Sequence, residues 1–262
     1  MSCAFPLPAL PSGPGATSRR RRVAASVIAL LVAAGAPCAP AVATAGHLAG
    51  MVVFLDPGHN GANDASITRQ VPTGRVGTKD CQASGTSTAD GYPEHTFTWD
   101  TTLRIREELE QLGVRTALSR QNDTGLGPCV DQRAEMANAL QPNAVVSIHA
   151  DGGPPSGSGF HVNYSAPPLK AAQAGPSVQF ARIMRDQIAA CGIPPADYIG
   201  VEGLYGRGDL AGLNLARYPS ILVELGNMKN ASEAAAMETP AGRQRYADAV
   251  VRGITNFLSS QG

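Results

Sequence analysis

The sequence predicts an α/β domain in which a mostly parallel, twisted sheet is flanked by helices on both faces. Three observations carry that expectation. Segments 51–55 (MVVFL) and 144–148 (AVVSI) are nearly continuous apolar and β-branched runs, the pattern of strands buried on both faces. Stretches with helical periodicity lie between the strand-like runs. No internal repeat and no Pro/Ser-rich linker interrupts the chain beyond its first segment, so a single domain is expected.

That first segment, residues 1–45, reads as an export signal. Residues 19–22 (RRRR) form a basic region, and 23–36 are apolar but short for a membrane span. Small residues at Ala43 and Ala45 place the expected cleavage after Ala45, leaving 46–262 as the mature domain. The alternative is an uncleaved signal anchor. Strands are then expected at 51–56, 114–119, 144–150, 159–165 and 220–225. A helix over 96–112 repeats Trp99, Leu103, Leu109 and Leu112 and stops at Gly113. Others are expected at 130–140, at 177–191 before CGIPP, and at 240–258, where Thr239 is the N-cap and Pro240 opens the first turn. Residues 60–94 are rich in Gly, Ser, Thr and Asp and show no sustained periodicity. Loops of this length are usually functional or mobile.

Composition narrows the function. The chain of 262 residues is 43% hydrophobic and 16% charged, enough for a core and unlike a disordered chain. It carries 21 basic and 21 acidic residues; without the four arginines at 19–22 the balance is 17 against 21. An acidic mature domain has no clustered positive charge for nucleic acid. Beyond residue 45 the cysteines are Cys81, Cys129 and Cys191. An oxidising compartment allows one disulfide and leaves one thiol over. Cys81 and Cys129 lie in loops, and Cys191 ends a helical pattern as an apolar thiol. The expectation is a Cys81–Cys129 bridge tying the insertion to the loop before the second helix, with Cys191 free.

Two histidines emerge where strands end: His59 in FLDPGHNG and His149 in SIHADGG. Ligands gather at the C-terminal edge of parallel strands. Two imidazoles there suggest zinc, whose catalytic sites use three protein ligands and keep one position for water. A carboxylate is the expected third ligand. Glu94 in GYPEHTF precedes a helix, and Glu224 in ILVELGN ends an apolar strand, where an acidic residue is costly unless paired or functional.

LDPGHNG, PEHTFTWD, SRQNDTGLGPCVDQRAEMANALQPNAVVSIHADG and YPSILVELGNMKN together resemble, in order, the motifs of zinc-dependent N-acetylmuramoyl-L-alanine amidases of the amidase-3 type. The resemblance covers about residues 50–258 and is closest to the secreted, single-domain mycobacterial type. It implies that His59, Glu94 and His149 hold one zinc ion per chain, with Glu224 as the catalytic glutamate. It further implies a catalytic domain over 46–262, a peptidoglycan or muropeptide substrate, and action outside the membrane, in the periplasm or cell wall. A monomer without stable membrane insertion is expected. The interval from His59 to Glu94 is longer than in many members, and ELGNMKN lacks the aromatic that many carry after the glycine. The alternatives are a zinc peptidase acting on stem peptides and a non-catalytic wall-binding protein.

The remaining candidates have blander readings. His95 should point away from the site on a helix start. His161 reads as a half-exposed strand residue that lines the groove at most, and His47 as tail. Asp56 is either a support for His59 or an Asx turn. Arg120, Asp123 and Arg133 read as structural ion pairs. No H-E-x-x-H helix occurs.

Overall fold

The computed structural model describes residues 45–261, so the expected export signal lies outside the described residues except for Ala45. In chain order the elements are α1 (Ala45–Leu48), β1 (Val52–Pro57), a 3-10 turn (Ala65–Thr68), β2 (Gln70–Pro72), β3 (Thr78–Asp80), α2 (Glu94–Gln111), β4 (Arg115–Leu118) and α3 (Val130–Leu140). There follow β5 (Ala144–Asp151), β6 (His161–Ser165), α4 (Ala171–Ala174), α5 (Pro176–Ala190), β7 (Leu204–Arg207), α6 (Ala211–Leu215), β8 (Ser220–Asn227), α7 (Ala231–Met237) and α8 (Pro240–Ser259). The main sheet runs β4-β1-β5-β8-β6-β7, and β2 pairs with β3 as a separate hairpin. Only the β6–β8 pairing in the main sheet is antiparallel, so the sheet is mostly parallel as expected.

Helices cover both faces. α8 lies against α2 and α5 on one side, and α3 and α6 pack together on the other. Side chains alternate across a strand. Val53, Leu55, Val146, Ile148, Val223 and Leu225 are wholly buried in the core formed with Phe97, Ile105, Phe180, Ile254 and Phe257. The opposite face is not sealed in the same way, for Val145, His149, Leu222 and Glu224 are half-buried. The apolar runs suggested equal burial on both faces; the second face is instead partly open and carries the site.

Local chemistry sets the ends of the helices. Pro93 caps α2 in extended backbone, which makes Glu94 its first residue, two positions earlier than periodicity alone indicates. The Thr239 side chain accepts from the Gly242 amide at 3.0 Å and starts α8. Cys81 and Cys129 form the expected disulfide, closing a span of 48 residues. Cys191 is also disulfide-bonded, so the expected free thiol is not found. It stands half-buried at the C-cap of α5.

The α5–α8 contact depends on a missing side chain. A Cβ at Gly253 would lie 2.3 Å from the Met184 sulfur. Helix propensity favours Gly253→Ala by about 1 kcal/mol, whereas overpacking a full core costs about 1–3 kcal/mol. Urea denaturation should therefore show a net loss of about 1 kcal/mol. A gain would mean that Met184 has room to move.

Candidate functional site

The chain leaves β1 through Pro57 and Gly58 into His59, which takes a left-handed backbone (φ 64) that is strained for a side chain of this size. Gly58 is required by its neighbour: a Cβ there would fall 2.3 Å from the His149 ring. His59 is buried, and its Nδ1 lies 2.8 Å from the Ala83 carbonyl oxygen. A carbonyl only accepts, so Nδ1 donates to it and Nε2 is the ring atom turned toward Glu94. Metal-binding histidines are commonly oriented in this way.

Glu94 stands between the two imidazoles. Its Oε2 lies 3.0 Å from His59 Nε2, and its Oε1 lies 3.0 Å from His149 Nδ1. The Thr86 amide also donates to Oε2 at 2.9 Å and the Ala150 amide to Oε1 at 3.2 Å. Burial alone would raise the Glu94 pKa, but hydrogen bonds from His149 and His59 hold it well below the ordinary carboxylate range. The His59 pKa is lowered by burial and raised further by Glu94, with a net rise. One ligand atom from each of His59, Glu94 and His149 can lie within 4.8 Å of the others, so the three could hold a metal ion. Two imidazoles and one carboxylate, two of the three residues buried, form a donor set that suits a divalent cation.

β8 brings Glu224 alongside. It sits in parallel register with His149 on the neighbouring strand, so both side chains emerge on the same face. Its Oε2 is buried without a hydrogen-bond partner. Burial, then the nearby Glu94 and Asp151 carboxylates, push its pKa well above the ordinary value. A cation among the three neighbouring residues would act in the opposite sense.

These groups open into a cleft of about 570 Å³ bounded by Phe54, Leu222, Ala134 and Leu213, with Lys79 and Asp80 of the hairpin on its rim. The hairpin is fastened across the cleft. Arg75 donates to Asn214 and Ser165, each at 3.2 Å, and to the Pro167 carbonyl, while Lys79 donates to the Asp209 carbonyl at 3.3 Å.

The flanking candidates resolve into supports. His95 turns to Asp123, 2.8 Å away, and Arg120 joins Asp123 at 2.9 Å. Asp56 accepts from Ser119 at 2.6 Å, from Ser147 at 2.6 Å and from Arg133 at 2.8 Å. It reaches the His59 turn through Arg133, which donates to the Pro57 and His59 carbonyls at 2.9 and 2.7 Å. His47 is exposed. His161 is buried to 1% exposure rather than half-exposed, because Tyr198 and Tyr205 stand edge-on against its ring. Tyr198 escaped the sequence reading: it lies outside any periodic segment, and only a fold brings its hydroxyl to Asp151, at 3.0 Å.

Residues 53–256 match the family described as Amidase_3, N-acetylmuramoyl-L-alanine amidase. An N-acetylmuramoyl-L-alanine amidase of Mycobacterium tuberculosis is 73% identical over 237 residues, covering 90% of this chain and 98% of that one. The crystal structure of the amidase Ami1 from Mycobacterium smegmatis superposes with a TM-score of 0.81 at 73% identity, over 82% of this chain and 99% of that one. Ami1 from Mycobacterium abscessus, in its apo form, gives 0.80 at 64% identity, over 80% and 99%. The chain belongs to the N-acetylmuramoyl-L-alanine amidase family.

Asp56 makes acid stability a test of the supporting network. Burial would raise its pKa, but Arg133 and the Ser119 and Ser147 hydroxyls bring it down to about 2. A carboxylate depressed on folding contributes stability above its unfolded value, and that contribution is lost as pH falls through the folded value. Between about pH 5 and pH 1 the protein should lose about 2–2.5 kcal/mol through this group. Asp56→Asn should remove this part of the acid limb. Urea midpoints measured across that range would check it, and identical slopes for the two proteins would contradict it.

Proposed function

We propose that this chain hydrolyses the amide bond between the lactyl group of N-acetylmuramic acid and the L-alanine of the stem peptide in peptidoglycan. The observation that carries the reading is the convergence of His59, Glu94 and His149 beside Glu224, in a chain of this family. His59, Glu94 and His149 would hold one zinc ion. When bound, zinc lowers the pKa of a water and polarises the carbonyl under attack.

The protein's own residues do the rest. Ala83 fixes the tautomer of His59, and Glu94 keeps both imidazoles oriented. Glu224 accepts a proton from the attacking water as the new carbon–oxygen bond forms. It returns that proton to the alanine nitrogen as the carbon–nitrogen bond breaks, leaving a lactyl carboxylate and a free amine. The cleft that α3 and α6 line together with the open face of the strands receives the substrate. Export through the signal at 1–45 would bring the enzyme to the wall, and no helix among the described residues is long and apolar enough to cross a membrane.

Two variants separate metal binding from proton transfer. His149→Ala should lose both zinc and activity. Glu224→Gln keeps size and hydrogen-bonding capacity, so zinc content should stay near one equivalent while turnover falls by at least about 100-fold. Elemental analysis and mass analysis of digested muropeptides on the same preparations give the answer. Zinc retained by His149→Ala would overturn the ligand assignment. Zinc lost from Glu224→Gln would make Glu224 a ligand, and cleavage within the stem peptide would make the enzyme a peptidase.

A further inference from the structure

Glu224 has an unexplained neighbour. β6 and β8 run antiparallel, and His161 stands directly opposite Glu224 in their register. Opposed residues on such a pair share a face, with Cβ atoms about 4.5–5.5 Å apart. Each carries a buried polar atom without a hydrogen-bond partner: Nδ1 of His161 and Oε2 of Glu224. A buried polar atom left unpaired costs about 1–3 kcal/mol, so two of them on opposed residues of a strand pair call for an explanation.

The surroundings hold the imidazole in place. Tyr198 and Tyr205 lie edge-on to it, with ring centroids 6.5 and 6.1 Å away. Tyr198 is itself fixed by its hydroxyl on Asp151. Burial keeps His161 neutral at working pH, with a pKa lowered to about 4. A neutral imidazole can place its one hydrogen on Nδ1 and donate it.

We propose that His161 is a positioning residue for Glu224: its Nδ1–H donates to Oε2, directly or through one water, and so turns Oε1 toward the cleft. Catalytic hydrogen bonds are often long before substrate arrives and tighten in the complex, which fits two atoms left unpaired at opposed positions of a strand pair. The proposal rests on the reading of Glu224 as the base. His161 touches neither substrate nor metal; it acts by limiting the directions available to the carboxylate.

The test contrasts two substitutions that a packing role and a hydrogen-bonding role rank in opposite order. His161→Phe keeps an aromatic ring between the tyrosines and removes the donor. His161→Asn loses the ring but keeps an N–H near the position of Nδ1. On a soluble muramoyl-peptide, His161→Phe should lower kcat by about 10- to 100-fold, the usual scale for an orienting partner. KM and zinc content should stay within about two-fold, as for a group that acts only in the reacting state. His161→Asn should recover most of the lost turnover. Should His161→Phe fail to fold, His161→Leu, smaller and equally without a donor, takes its place with the same expected loss. In a Glu224→Gln background the His161→Phe change should cost nothing further, since it works through that carboxylate.

Near-normal kcat in His161→Phe with an impaired His161→Asn would overturn the proposal in favour of ring packing. A full additional loss in the Glu224→Gln background would overturn it as well. Wild-type turnover by Glu224→Gln alone would instead remove the base assignment on which the proposal stands, so the two failures are told apart.

Discussion

The site depends on one buried cation. Leaving β1, the chain must turn at Pro57, Gly58 and His59 beneath α3, where water cannot solvate its carbonyl groups. Arg133 takes the carbonyl oxygens of Pro57, His59 and Pro128 and balances its charge on Asp56. A guanidinium suits this task because its five donors lie in a rigid plane. An unpaired charge at this depth would cost several kcal/mol, so Arg133 and Asp56 need each other as much as the turn needs both. The strained backbone of His59 persists because this network over-determines it.

The sheet supplies the second constraint. Parallel pairing of β1, β5 and β8 delivers His59, His149 and Glu224 to one edge from three separate parts of the chain. Reversal at β6 then brings His161 against Glu224 from the far side. The bulge between His149 and Asp151 lets the two emerge differently, with Asp151 turning to Tyr198 and His149 to Glu94. One face of these strands is sealed by α2, α5 and α8; the other stays accessible, and chemistry occupies the open one.

Much of this was legible in the sequence because the strands at the centre are apolar enough to announce themselves and end on residues that apolar strands do not otherwise tolerate. His59, His149 and Glu224 each stood out in that way, whereas Glu94 was indicated by its place just before a helix and by the family resemblance. Helix ends at Gly113 and Thr239 followed from capping chemistry. The edge strand β4 was expected at 114–119, but the short elements near the other edge were not legible. β7 is four residues, LYGR, with a glycine inside, and α6 is five; neither sustains a period. The hairpin of β2 and β3 sits in a segment whose composition reads as loop, and its order comes from Cys129, Asn214 and Ser165, all distant in sequence. The burial of His161 and the bonded state of Cys191 likewise depend on partners that local pattern cannot name.

The placement of Glu94 at the first residue of α2 has a consequence for how such a chain can diverge. Both ends of the 60–93 segment are fixed by rigid elements, the Arg133-held turn at one end and the helix at the other. Closing a longer flexible segment costs only about 0.6 kcal/mol for each doubling of its length. Residues can therefore be gained or lost between His59 and Glu94 without moving either side chain. The segment also supplies the rim of the cleft through Lys79 and Asp80. Variation in its length reshapes what the cleft admits and leaves the reacting groups where they are, so selectivity and chemistry are free to evolve on separate stretches of the same chain.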